Sequence, residues 1–386
     1  MPTLMNRRDW LRTGAIVTGG LPFLSSFGSF ASTGRTSNPN RQLSDAEFER
    51  LAPPGLKARL FANENPFGPS EKARKAIVDN LSSCYQYPFM HFDELTSKVT
   101  AYEGVIKENL LFSSGSSPLL LATALAFCHG GGNVVAGDPT YDDLPERAES
   151  FGATWKKVPL TADYKLDLEA MEKAIDANTK LVYICNPNNP TATAVDTAKL
   201  KAFCERVSKK VMVMVDEAYI DYMPDPATAT MIGAVKNGHN IIVARTFSKL
   251  YGFAGLRVGY VIALPETIKK LEGLTPGAFS ISGPAVHAAI AGYQDKEYLK
   301  TALAKTNESK EFLYKTLKAE GYDYIPSVAN FVMFPLQMES ERFVQEMMKR
   351  GVGVRSWKFN KKEWCRISIG RMDEMEAFAS AFKEIS

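Results

Sequence analysis

Three short polar clusters in the 386-residue chain carry residue types suited to chemistry. Asn186-Pro187-Asn188-Asn189-Pro190-Thr191 follows the apolar run Leu181–Cys185. Asp216-Glu217-Ala218-Tyr219 follows Val211–Val215, and Thr246-Phe247-Ser248-Lys249 follows Ile241–Ala244, with Gly255-Leu256-Arg257 just beyond. Between them they offer an amine (Lys249), a carboxylate (Asp216), two polar side chains for a ring oxygen (Asn189, Tyr219) and phosphate donors (Ser248, Arg257). An aldehyde-bearing pyridine cofactor requires such a set. The amine forms a Schiff base, the carboxylate keeps the ring nitrogen protonated so that the ring acts as an electron sink, and the remaining groups hold the ring oxygen and the phosphate. Arginine suits the phosphate because its fork donates two parallel hydrogen bonds.

A further phosphate cradle is available in Ser113-Ser114-Gly115-Ser116-Ser117-Pro118, which precedes the apolar stretch Leu119–Phe127. Pro118 fits the first turn of a helix, leaving the N–H groups around Ser116 and Ser117 and the positive dipole end to face an anion. Tyr141, in Asp138-Pro139-Thr140-Tyr141, is placed to stack on the cofactor ring.

With these pieces assembled, the chain resembles the fold-type I aminotransferases that use pyridoxal 5'-phosphate (PLP), and within them the histidinol-phosphate aminotransferase group. The resemblance rests on Asn63-Glu64-Asn65-Pro66-Phe67-Gly68-Pro69, Tyr87-Pro88, Pro139-Thr140-Tyr141, Asn188-Asn189-Pro190-Thr191, Asp216-Glu217-Ala218-Tyr219, Ser248-Lys249 through Arg257, and Arg366-Ile367-Ser368-Ile369-Gly370, which follow one another in family order. It implies that Lys249 holds the cofactor and moves the proton. Asp216 then pairs with the ring nitrogen, Asn189 and Tyr219 meet the ring hydroxyl, and Ser116, Ser117, Ser248 and Arg257 hold the phosphate. Arg366, assisted by Arg355, clamps the substrate's anionic group, with Asn65 also among the substrate contacts. Tyr87 reaches the phosphate of a neighbouring subunit, which implies a homodimer. Two departures stand out: Ala192 occupies a position the family usually gives to glycine, and Ser117-Pro118 stands where an acidic pair is usual.

The elements that would position these residues read as α/β. The runs Asn133–Ala136, Leu181–Cys185, Val211–Val215, Ile241–Ala244 and Val258–Ile262 are continuous rather than alternating. Continuous runs mark strands buried on both faces, as in a mostly parallel sheet covered by helices. Helical patterns at Leu166–Ala177 and Thr197–Lys209 lie between them. Ligands of such sheets bind at the carboxyl ends of the strands. Beyond residue 290 a helix over Lys296–Glu320, a strand over Val328–Phe334, a helix over Ser340–Arg350, short strands near Val352–Arg355 and Cys365–Ile369, and a last helix from Asp373 predict a smaller α+β domain. The expected organisation is a signal peptide over 1–31, a linker and N-terminal segment over 32–85 packing with the small domain, a PLP-binding large domain over 86–290 and the small domain over 291–386.

The first thirty residues stand apart. Asn6-Arg7-Arg8-Asp9-Trp10-Leu11-Arg12, a mildly apolar run from Gly14 to Leu24, and Ser29-Phe30-Ala31 read as a twin-arginine signal peptide with a mature chain starting near Ser32. The apolar run is too short to span a bilayer. The expectation is therefore an exported, periplasmic protein with no stable membrane anchor. A net charge of +3, from 46 basic and 43 acidic residues, gives no reason to expect nucleic acid as a partner. Five scattered cysteines, with no C-x-x-C pair and only four histidines, argue against zinc and against a disulfide scaffold.

The function these readings predict is transfer of an amino group between an amino acid, or a histidinol-phosphate-like amine, and a 2-oxo acid. The same residues would labilise any bond at Cα, so a PLP-dependent lyase, decarboxylase or racemase is the alternative chemistry. A PLP-binding regulator without turnover is a third reading, and it lacks the added DNA-binding module such proteins carry.

Overall fold

The computed structural model describes residues 56–386; the expected signal peptide and the linker after it lie outside the described residues. In chain order the strands are β1 (Ala58–Arg59), β2 (Leu110–Ser113), β3 (Asn133–Asp138), β4 (Thr154–Pro159), β5 (Thr179–Cys185), β6 (Met212–Asp216), β7 (Ile241–Thr246), β8 (Gly259–Ile262), β9 (Phe331–Pro335), β10 (Val352–Gly353), β11 (Arg355–Phe359) and β12 (Lys362–Ser368). A seven-stranded sheet runs β2-β8-β7-β6-β5-β3-β4. Its pairings are parallel except at β8, which is antiparallel to both of its neighbours.

The unbroken apolar runs have a direct cause. Val182 and Ile184 of β5, Val213 and Val215 of β6, and Ile241 and Val243 of β7 enter a core on one face of the sheet. Leu181, Tyr183, Met214, Ile242 and Ala244 enter a core on the other. Side chains alternate across a strand, so a strand covered on both faces has no position left for a polar residue. Helices such as Ser117–Cys128 and Thr197–Val207 supply the covering layers. Asp196 caps the second of these by accepting from the Lys199 N–H.

The C-terminal part has its own core, built on β9, β11 and β12 as a three-stranded antiparallel sheet, order β11-β12-β9. The long helix Lys296–Ala319 leads into it, and the helices Ser340–Lys349 and Met372–Lys383 pack on it. β1 pairs in parallel with β10. Residues 58–59 therefore join this part of the molecule, whereas the helix Glu71–Asp79 lies against the helix Gly283–Gly292.

Several elements differ from the sequence-based expectation. β2 and β4 were not marked as strands by continuous runs. β4 alternates exposed and buried residues at one sheet edge, where one side of the strand meets water. The expected strand Val328–Phe334 begins only at Phe331. The residues before it form a turn in which Ser327 Oγ accepts from the Ala329 N–H, and Asn330 donates to the carbonyls of Asn63 and Glu64 at 3.0 and 3.1 Å. Among the described residues no helix is long and apolar enough to cross a membrane. No group of three or more His, Cys, Asp or Glu there is arranged to hold a metal. Cys128, Cys185, Cys204 and Cys365 are buried free thiols, and Cys84 is exposed.

Candidate active site

The carboxyl ends of β2, β3, β5, β6 and β7 converge on one cavity of about 420 Å³. The reversal of β8 serves this convergence. Gly259, its first residue, lies opposite Ser113 and Thr246, the last residues of β2 and β7. Arg257, just before that start, is therefore delivered to the same edge.

Asp216 closes β6 and is 2% exposed. Tyr183 Oη donates to its Oδ2 at 3.1 Å, and the Ala218 N–H donates to its Oδ1 at 3.0 Å. Burial pushes the carboxyl up to about 6, against the opposing pull of those two hydrogen bonds and of Lys249. The neighbouring carboxylate, Glu217, faces away from the cavity. It accepts from Arg245 Nε, the Thr230 hydroxyl and the Met231 N–H at 2.7, 2.9 and 2.6 Å. Tyr219 is buried, accepts from Asn63 Nδ2 at 3.0 Å, and places its ring centroid 5.2 Å from Lys249 Nζ.

On one side of Lys249 lies a small cradle. Arg257 Nη1 donates to Ser248 Oγ at 3.2 Å and to the Ala254 carbonyl at 3.0 Å. Its guanidinium lies against Gly115, where any Cβ would overlap it, and Gly115 has φ +86°. A Cβ on Gly259 would fall 2.6 Å from Gly115 C and Ser116 N. The two glycines thus let the Ser113–Ser117 turn, the start of β8 and the guanidinium come together. Ser116 and Ser117 line the cavity at the start of the helix Ser117–Cys128, with Pro118 in its first turn. The first N–H groups of a helix have no intrahelical acceptor, so this end of the cavity suits an anion.

On the other side are two arginines. Arg366 is 3% exposed and donates to Asn189 Oδ1 at 2.8 Å and to the Phe61 carbonyl at 2.6 Å. Arg355 is its direct partner across the β11–β12 pair. Trp357 lies 4.5 Å from the Arg366 guanidinium and 5.3 Å from that of Arg355. Like charges opposite one another cost stability, and a bound anion offsets that cost. Tyr141 also lines the cavity, and burial raises its hydroxyl above the usual tyrosine range.

Two of the residues named from the sequence lie elsewhere. Asn65, expected among the substrate contacts, is not in the cavity wall. Its amide donates to the Leu250 carbonyl and Tyr298 Oη at 2.7 and 3.0 Å and accepts from the Phe67 N–H, so it fixes the turn after Glu64. Tyr87 is 77% exposed and far from the cavity's own residues, beside Phe89. Conversely, Tyr183 and Asn63 hold Asp216 and Tyr219 without having been singled out. Tyr183 had a visible signal, being the one hydroxyl-bearing residue in an otherwise apolar run.

The cavity fits the cofactor that the resemblance implies. Asp216 is a buried carboxylate whose two hydrogen-bond donors are neutral, and a protonated ring nitrogen is a cationic partner of the kind such a group needs. The Gly115–Arg257–Ser248 cradle suits a phosphate, and Lys249 lies between the two in the same wall.

Residues 57–382 match the family model for aminotransferase class I and II. The histidinol-phosphate aminotransferase of Moorella thermoacetica is 36% identical over 329 residues, covering 85% of each chain. That of Halalkalibacterium halodurans is 34% identical over 328 residues, covering 85% of this chain and 88% of that protein. Among solved structures, histidinol-phosphate aminotransferase from Sinorhizobium meliloti in complex with pyridoxal-5'-phosphate superposes with a TM-score of 0.83 at 26% identity, over 92% of this chain and 98% of that one.

Proposed function

The chain belongs to the class I and II aminotransferases, and on that premise we propose a division of labour among its cavity residues. The protein is a PLP-dependent aminotransferase, moving an amino group from an amine donor to a 2-oxo acid. When bound, PLP supplies an aldehyde that condenses with amines and a ring that withdraws electrons from the carbon bearing the amine. Lys249 would hold the group through Nζ. Displaced by the substrate amine, Nζ takes the α-proton and holds it for return. Asp216 keeps negative charge against the ring nitrogen. Asn189 and Tyr219 orient the ring oxygen, and Tyr141 covers a ring face. Ser116, Ser117, Ser248 and Arg257 hold the phosphate. Arg366, with Arg355 opposite, clamps the substrate's carboxylate or phosphate.

The observation that carries this reading is that Lys249, Asp216 and Arg257, brought from three different strand ends, line one cavity. Purified protein should absorb in the visible when PLP is present, and borohydride should attach the pyridoxyl group to the peptide containing Lys249. Trapping on another lysine, or none, would end the assignment. For the donor we propose an amine carrying a carboxylate or phosphate, histidinol phosphate included, to be tested as a donor panel against 2-oxoglutarate. Tyr87 would complete the phosphate site of a second copy. The 1–31 segment would export the folded enzyme, and an intact mass of exported material that retains Met1 would contradict this.

A further inference from the structure

One charged pair in the cavity wall has no part in the division of labour above. Arg59 and Glu64 both line the cavity. Arg59 Nε and Nη2 donate to the two carboxylate oxygens of Glu64 at 2.7 and 3.2 Å, and each side chain is 36% exposed. The frame beneath them is held firmly. Arg59 lies in β1, paired with Gly353 of β10, and its backbone N–H donates to Glu374 at 3.4 Å. Asn330 ties the Asn63 and Glu64 carbonyls to the C-terminal part of the chain.

Resting on the aminotransferase reading, we propose that the Arg59–Glu64 pair reads the distal end of both substrates. Arg59 takes an anionic side chain, such as the second carboxylate of a dicarboxylic 2-oxo acid. Glu64 takes a cationic or N–H-bearing side chain of the amino donor. The argument starts from the reaction. A transaminase admits two substrates in turn to one cavity, and their far ends differ in charge. A single fixed charge would repel one of them, whereas a neutral pair presents a partner to each. An ion pair this exposed contributes little to stability, so exchanging one member for a substrate group costs little. The guanidinium fork already holds a carboxylate through two hydrogen bonds, and a substrate carboxylate can adopt the same geometry. Arg366 has a different task, since it is buried and committed to Asn189 and the Phe61 carbonyl.

The test uses PLP-loaded protein with Arg59→Gln, Arg59→Lys and Glu64→Gln. The readouts are kcat/KM for 2-oxoglutarate against phenylpyruvate and for histidine against phenylalanine, and the Kd of unreactive glutarate from the visible absorbance. Arg59→Gln should lower the 2-oxoglutarate-to-phenylpyruvate ratio roughly 10- to 100-fold and weaken glutarate to match, with Arg59→Lys recovering part of the loss. Glu64→Gln should tighten glutarate and lower the histidine-to-phenylalanine ratio. Ratios that stay put, or a uniform loss on every substrate, overturn the proposal. Wild-type protein without transaminase turnover overturns the underlying reading as well, whereas normal turnover with unmoved ratios overturns only the role of the pair.

Discussion

Asp216 carries the largest electrostatic cost in the cavity. Its carboxyl is raised from an ordinary 3.8 to about 6 by burial. A folded-state pKa above the unfolded one means that between about pH 4 and 6 the unfolded chain has lost this proton and the folded chain still binds it. Stability then falls as pH rises through that window, by roughly 3 kcal/mol for a shift of about two units. We predict that the cofactor-free protein has a lower Tm at pH 7 than at pH 4.5 in excess of the change seen for Asp216→Asn, because the amide has no proton to lose. Parallel pH profiles for the two would remove this account. PLP should abolish the excess by supplying a cation opposite the carboxylate, and Asp216→Asn should cut kcat roughly 10²-fold or more, as for other lost charge partners at reacting centres.

At the scale of elements, the site depends on segments whose backbone is special. Gly115 has φ +86° and no room for a Cβ beside the Arg257 guanidinium. Gly115→Ala should therefore cost about 1 kcal/mol of stability from backbone strain. It should also push Arg257 off Ser248, weakening PLP binding roughly 10-fold or more. Titration of cofactor-free protein with PLP measures this, and an unchanged Kd would show that the cradle is not where the phosphate sits. Ala192 is a second special position. It has φ +58° and is fully buried among Tyr219, Leu250 and Phe331. The left-handed backbone explains why a glycine suits this turn, and the surrounding apolar contacts give the methyl of Ala192 something to pack on. Arg257 itself has φ +57°, a strain of the kind that collects at functional sites.

At the scale of the whole molecule, one face invites a second copy. Tyr85, Tyr87 and Met90 are 84, 77 and 79% exposed, and Phe279 is 71% exposed. Phe89 touches both Tyr87 and Phe279, with ring centroids 5.5 and 5.6 Å apart. An apolar group of this kind on a soluble surface marks an interaction site. Sedimentation of the PLP-loaded protein should give a dimer. Met90→Glu should shift it towards monomer and weaken PLP, and Tyr87→Phe should weaken PLP without dissociating the dimer. A monomer with undiminished cofactor affinity would end the shared-site proposal.

The sequence by itself determined the strands of the central sheet, because burial on both faces leaves only apolar residues, and that pattern is local. It also determined which polar clusters sit at strand ends, since each cluster directly follows a run. It was silent on β4 and on the direction of β8. An edge strand alternates like many loops, and strand direction is set by neighbours distant in the chain. Of the adjacent carboxylates Asp216 and Glu217, only the tertiary structure decided that the first faces the cavity and the second meets Arg245. The same holds for Asn65, whose amide is taken by Leu250 and Tyr298, and for Arg59 with Glu64, which reach the cavity because β1 pairs with a strand nearly three hundred residues away. A side chain's neighbours across the fold depend on packing between segments, and spacing along one segment carries no record of them.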